Sequence, residues 1–114
     1  MLRLLPRTLV LLLLFGFSSL AVAGDGYVRI LTPTDGATLD EMDQNRVEFD
    51  VDPGPAGDSV RLFVDDQEVA VLREFKGSYT LDTMDSGPHR LCVKVLDKSG
   101  HSTGLEQCIG VTAR

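Results

Sequence analysis

The side chains with the most reactive chemistry are Cys92, Cys108, His89 and His101, with Ser99 and Ser102 flanking the second histidine. A serine activated by a neighbouring histidine is a route to nucleophilic catalysis. Here, however, Ser99, His101 and Ser102 fall in the turn-rich run from Asp97 to Gly104. Nothing in that run supplies a preorganised base or an oxyanion site. His89 follows Gly87 and Pro88 where the chain turns into an apolar stretch, and it is expected to fasten that corner by hydrogen bonding. His89 and His101 fall near opposite ends of one strand, which disfavours a shared copper or zinc site. Asp50, Asp52, Asp58, Asp65 and Asp66 offer oxygen ligands for Ca²⁺, but no D-x-D-x-D-G loop with a terminal Glu occurs. Aspartates are ordinary in turns, where they cap nearby amides. No catalytic, cofactor-binding or metal-binding residue is assigned, and no cofactor is expected.

The elements that position these groups are short alternating runs. Leu91, Val93 and Val95 alternate with polar or sulfur-bearing residues, and Gln107, Ile109 and Val111 alternate again after the Asp97–Gly104 turn. This pattern predicts two antiparallel strands with one face in a core. Counting outward from the loop sets Cys92 opposite Cys108, both on the face turned away from that core. With two cysteines there is one possible pairing. Closing a loop of about 15 residues would contribute roughly 3 kcal/mol by chain entropy. The rival reading is two small residues on a solvated strand pair.

Further alternating runs cover Tyr27–Leu31, Arg46–Val51, Ser59–Val64, Glu68–Leu72 and the segment around Tyr79 and Leu81. Ala37–Leu39 is expected to resume the first strand after a bend, and Asp40–Asn45 to form a loop or a single helical turn. Val69 and Val71 share a face, and Asp65–Asp66–Gln67 reads as a tight turn. Asp52–Asp58 holds Pro53 and Pro55 and cannot sustain a ladder. Parallel pairs would need crossover helices that the pattern lacks, so the sheets are expected to be antiparallel. The fold class is all-β: an Ig-like antiparallel β-sandwich of about seven strands, with a small closed barrel as its rival.

The chain has 114 residues. Its first segment carries Arg3 and Arg7, then an almost unbroken apolar run from Thr8 to Phe17, then Ala21-Val22-Ala23. That is the pattern of a secretory signal peptide over residues 1–23, with cleavage expected after Ala23. The apolar run is shorter than the ~20 residues of a spanning helix, so the mature protein is not expected to span a membrane. Removing 23 of 114 residues leaves 91, residues 24–114, enough for one domain. Without Arg3 and Arg7, 9 basic residues face 17 acidic ones, a net charge of −8. That excess argues against nucleic acid as a partner. Export to the periplasm or beyond places both cysteines in an oxidising compartment.

Four segments carry a resemblance: ILTPTDGATL at 30–39, VRLFVDDQEV at 60–69, YTLD at 79–82 and GPHRLCVKVLDKSG at 87–100. Together they resemble bacterial Ig-like or fibronectin-III-like modules, in particular the C-terminal domain of penicillin-binding proteins of the 1C type and related small exported domains. The resemblance implies an accessory module without catalytic residues. In a sandwich, Arg61, Phe63, Arg90, Cys92, Lys94, Leu96, Glu106, Cys108 and Gly110 would share one outward face, with Arg29, Arg46, Glu48, Asp50 and Asp82 on the opposite sheet. The candidate partner face is Arg61, Phe63, Arg90, Lys94 and Leu96, three cations and two apolar side chains within an acidic domain. The expected function is a non-catalytic exported domain that binds or positions a cell-envelope protein or glycan. The alternative is a periplasmic ligand- or metal-binding carrier using the acidic turns.

Overall fold

The computed structural model describes residues 25–114. The expected signal peptide, 1–23, lies outside the described residues. Eight strands follow in order: β1 (Tyr27–Thr32), β2 (Ala37–Leu39), β3 (Arg46–Asp52), β4 (Ser59–Val64), β5 (Gln67–Leu72), β6 (Lys76–Thr80), β7 (Gly87–Leu96) and β8 (Ser102–Ala113). They form two sheets, β1-β3-β6 and β2-β8-β7-β4-β5. No helix occurs among the described residues, so Asp40–Asn45 forms turns rather than a helical turn.

The sheets face each other across side chains that the alternation placed inward. Val47, Phe49 and Val51 of the smaller sheet meet Val60, Leu62, Leu91, Val93, Val95, Ile109 and Val111 of the larger one. Leu39, Leu72 and Leu81 complete the core at its margins. Each fully buried side chain of this size contributes about 1.5–3 kcal/mol. A strand slipped by one residue would turn the whole inward set to water.

One expectation is corrected, and with it the all-antiparallel pairing. Ala37–Leu39 does not resume the first strand. The chain crosses between the sheets after β1, and β2 joins β8 in parallel, with Ala37, Thr38 and Leu39 opposite Val111, Thr112 and Ala113. This gives eight strands and one parallel pair. No crossover helix is required, because β2 and β8 are connected by the rest of the domain. Asp35 and Gly36 fix the crossing on Gly110: its amide donates to Asp35 Oδ1 at 2.8 Å, and its carbonyl accepts the Gly36 amide at 2.7 Å. Val69 and Val71 share a face as expected, and it is the outward one. The β4–β5 register shifts between Leu62 and Phe63, and Ala70 and Leu72 take the inward positions.

Pro88 lies inside β7, opposite Thr112. It is tolerated because β4 pairs with β7 only as far as Leu91, so the missing donor interrupts no ladder on that side. Gln107 is the polar residue in an otherwise apolar inward series. Its Oε1 accepts the Ile30 amide at 2.6 Å, where the β1–β3 register shifts between Ile30 and Thr32. The side chain thus ties the two sheets together at the irregularity. Gln107→Leu should therefore lower stability by about 1–3 kcal/mol, the cost of an unsatisfied, partly buried amide. Equilibrium urea unfolding measures this; a stability unchanged from wild type would show that the Ile30 amide finds water instead.

Candidate partner-binding face

Strand register decides which side chains meet on the outer face of the five-stranded sheet. One row across it runs Val71, Arg61, Lys94, Glu106. The next runs Glu68, Phe63, Cys92, Cys108. Arg90 opposite Gly110, and Leu96 between Ser59 and Ser102, extend the face to either end. The fold therefore brings Arg61, Phe63, Arg90, Lys94 and Leu96 onto one outward surface.

Cys92 and Cys108 form a disulfide across that face, with their Cα atoms 4.0 Å apart. Cys92 nevertheless has only 1 % of its surface exposed. Phe63 flanks it on β4, Cys108 on β8, and Arg90 and Lys94 along its own strand, so an outward position is covered by its neighbours. Phe63 and Leu96 are themselves half-buried, not exposed as the alternation implied. The Lys94 ammonium lies over the Phe63 ring at 4.7 Å from its centroid, a contact of about 0.5–1 kcal/mol at a solvated site.

Two of the three cations of this face, Arg61 and Arg90, are matched by carboxylates that strand alternation alone does not bring to them. Arg61 Nη1 lies 2.8 Å from Glu68 Oε1, and its Nε donates to Ser59 Oγ at 3.3 Å. Arg90 Nη1 lies 3.3 Å from Asp66 Oδ1, and its Nη2 is 3.4 Å from Cys108 Sγ. Both acids belong to the β4–β5 hairpin: Asp66 to its turn, Glu68 to the bulged start of β5. The Arg90 side chain is 56 % exposed against 28 % for Arg61, so Arg90 is the more accessible. Exposed pairs of this kind contribute about 0–1 kcal/mol and exchange readily for an external carboxylate. The signal for Asp66 and Glu68 was the tight turn itself, which folds β5 back beside β4.

At the rim, His89 does fasten a corner. Asp65 and Asp66 form the two-residue turn between β4 and β5 with φ of 51° and 68°, a left-handed conformation that aspartate tolerates better than most residues. Asp65 Oδ1 accepts the Arg90 amide at 2.9 Å, and Oδ2 meets His89 Nδ1 at 2.6 Å. His89 Nε2 meets the Asp85 carbonyl at 2.6 Å. Both partners are acceptors, an arrangement that favours the protonated imidazole, which can donate from both ring nitrogens. The Asp85 carbonyl first, and the Asp65 carboxylate second, raise the His89 pKa above its ordinary value. His89 in turn, followed by the Arg90 amide, lowers the Asp65 carboxyl.

The remaining candidates are engaged locally and apart from one another. Asp97 Oδ1 accepts the His101 and Ser99 amides at 3.0 and 2.8 Å, which lowers its pKa, the His101 amide contributing most. Ser102 Oγ accepts the Gly104 amide at 3.1 Å. Asp50 accepts the Tyr27 hydroxyl at 3.3 Å and Asp52 caps the Gly54 amide at 3.1 Å. Among the described residues, no group of three or more His, Cys, Asp and Glu side chains converges to hold a metal. On the opposite sheet Arg29 lies over Tyr27, 4.4 Å from its ring centroid; Asp82, expected on that sheet, instead lies in the loop after β6, where its Oδ1 accepts from Gln44 Nε2 at 3.5 Å.

Two solved structures share this architecture. The fibronectin(III)-like modules of Clostridium thermocellum CbhA superpose with a TM-score of 0.64 at 14 % identity, covering 76 % of this chain and 96 % of that one. The fold is fibronectin type III-like. An engineered protein, Northeast Structural Genomics Consortium target OR128, superposes with a TM-score of 0.55 at 19 % identity over 78 % of this chain and 20 % of its own. At these identities the likeness concerns fold alone. No family model and no curated protein matches the sequence.

The His89 clasp makes stability depend on pH with a definite sign. The raised His89 pKa contributes stability that is fully present below its ordinary value of about 6.5 and lost as pH rises through the folded-state value. The lowered Asp65 contributes stability present above about 3.9 and lost as pH falls through its own folded-state value. His89→Ala should thus depress the urea midpoint more at about pH 5.5 than at about pH 9. An equal deficit at both pH values would contradict a protonated clasp.

Proposed function

We propose that the protein is a non-catalytic exported module that docks an acidic cell-envelope protein through the outer face of its five-stranded sheet. The observation that carries this reading is the Lys94–Phe63 stack beside the covered disulfide, with Arg61 and Arg90 in the adjoining positions. These groups form a cationic, partly apolar surface on a domain whose mature net charge is −8. Val71, 52 % exposed and directly opposite Arg61, enlarges its apolar part. Arginine and aromatic side chains around a covered centre are the usual anchors of protein interfaces. A glycan is the second reading; it is less well served, because Phe63 is the face's single aromatic and already lies beneath Lys94.

Two observations support export: the signal-peptide pattern that ends at Ala23 and the disulfide within the module. The resemblance to the C-terminal module of 1C-type penicillin-binding proteins supports an accessory role in the envelope. The carrier alternative would use acidic turns whose carboxylates cap amides and pair with Arg90 and His89 instead of converging.

The cations serve mainly to steer, so capture should weaken with salt. Replacing Arg90 and Lys94 with Glu should leave the circular dichroism spectrum and melting temperature near wild type, since both sit at outward positions. The same variant should lose at least tenfold in affinity for the envelope protein that the wild-type domain retains on a low-salt column. Retention of that protein undiminished, and insensitive to salt, would remove this face as the docking site.

A further inference from the structure

A strand at the edge of a sheet offers a row of unpaired amides and carbonyls, and folded proteins normally blunt it. Among the described residues the two sheets end in four such strands, β1, β6, β2 and β5. Three of them are blunted. On β1 the Ile30 amide is taken by Gln107 Oε1 at 2.6 Å, and Pro33 follows the strand. β6 begins with Lys76 and Gly77, and β2 is only three residues long. β5 is six residues long, Gln67-Glu68-Val69-Ala70-Val71-Leu72, with no lysine, proline or glycine.

The side chains of this edge are apolar where they reach water. Val69 is 44 % and Val71 52 % exposed. Leu62 pairs with Ala70 and Phe63 with Glu68, so Val69 is an extra residue and stands beside Glu68 in a bulge. From Ala70 to Leu72 the strand pairs regularly with β4. Charge runs along β5 in one sense. Asp65, Asp66 and Glu68 lie at its start, and exposed Arg73 lies where the chain leaves it. Glu74 turns away, its carboxylate lying against Gly77 on the other sheet. Two copies set parallel would bring acid against acid. Set antiparallel, they bring the Arg73 of each to the acids of the other.

We propose that β5 pairs antiparallel with β5 of a second copy of this chain, about a two-fold axis through Val71. In that register Val71 faces its own counterpart, and Ala70 faces Leu72 on the inner side. Arg73 faces the Glu68–Val69 bulge. Glu68 holds Arg61 through Oε1, which leaves Oε2 for the incoming guanidinium. Such a contact uses one patch twice and closes at two copies. The two five-stranded sheets join into one, and the outer row Lys94, Arg61, Val71 continues across the seam in reverse order. Both candidate faces then lie on one side of the dimer, and the pairing does not depend on those faces binding a partner. The seam is short and each mature copy carries a net charge of −8, so the association is weak.

The test is sedimentation equilibrium of the mature domain between about 10 µM and about 1 mM, with circular dichroism as the check on folding. A monomer–dimer equilibrium is expected for the wild type. Val71→Lys and Val71→Glu each set like charges across the two-fold axis, so each should weaken dimerisation by about tenfold or more. Both variants should stay folded, because the position is outward. Mixed in equal amounts they should recover a dimer, since opposite charges then meet at the axis. A wild-type domain that stays monomeric throughout the range would overturn the proposal. Dimers undiminished in both single variants, or a mixture that recovers no dimer, would overturn it equally.

Discussion

The register of β7 in the middle of its sheet is the constraint on which the rest of the domain depends. β7 pairs along its length with β8 on one side and, from Leu91 to Leu96, with β4 on the other. Its odd-numbered residues Leu91, Val93 and Val95 fill the core, and its even-numbered residues Arg90, Cys92, Lys94 and Leu96 face out. A slip of one residue would bury two cations and expose three fully buried apolar side chains. The Cys92–Cys108 bridge joins residues already opposite each other, so it locks the parity that hydrophobic burial selects. The loop-closure contribution of roughly 3 kcal/mol is large beside the 5–15 kcal/mol typical of a whole domain.

From that register follow both the candidate face and its chemistry. The outward rows set Lys94 within reach of Phe63 and leave Arg61 and Arg90 to the acids of the β4–β5 hairpin. The same hairpin supplies Asp65, which holds His89 and the Arg90 amide together. The turn is therefore the rim of the face as well as the connection between two strands. Each ion pair on the surface is individually weak, so the face is ordered without being committed. Incoming carboxylates would replace Glu68 and Asp66 at little cost.

Much of this was legible in the sequence because strands report burial with a period of two. The inward series Val47, Phe49, Val51 and Val60, Leu62 gave both sheets, and cysteine parity gave the bridge. The shared outward face of Arg61, Phe63, Arg90, Lys94 and Leu96 followed from the same counting. What escaped were features that depend on partners distant in the chain. Three residues, Ala37–Leu39, read the same whether they continue the first strand or change sheets. The outward placement of Val69 and Val71 depends on a bulge that alternation cannot reveal. Gln107 fits the inward pattern, but its reason for being polar is the Ile30 amide on the other sheet.

The register itself can be measured directly by nuclear Overhauser contacts between α-protons in the folded mature domain. Close cross-strand α-protons mark the narrow pairs of an antiparallel ladder. A strong contact is expected between the α-protons of Cys92 and Cys108, and it should persist after reduction at a denaturant concentration where the domain remains folded. A contact of Cys92 with Gln107 or Ile109 in its place would shift every outward residue of β7 and contradict the account of the face.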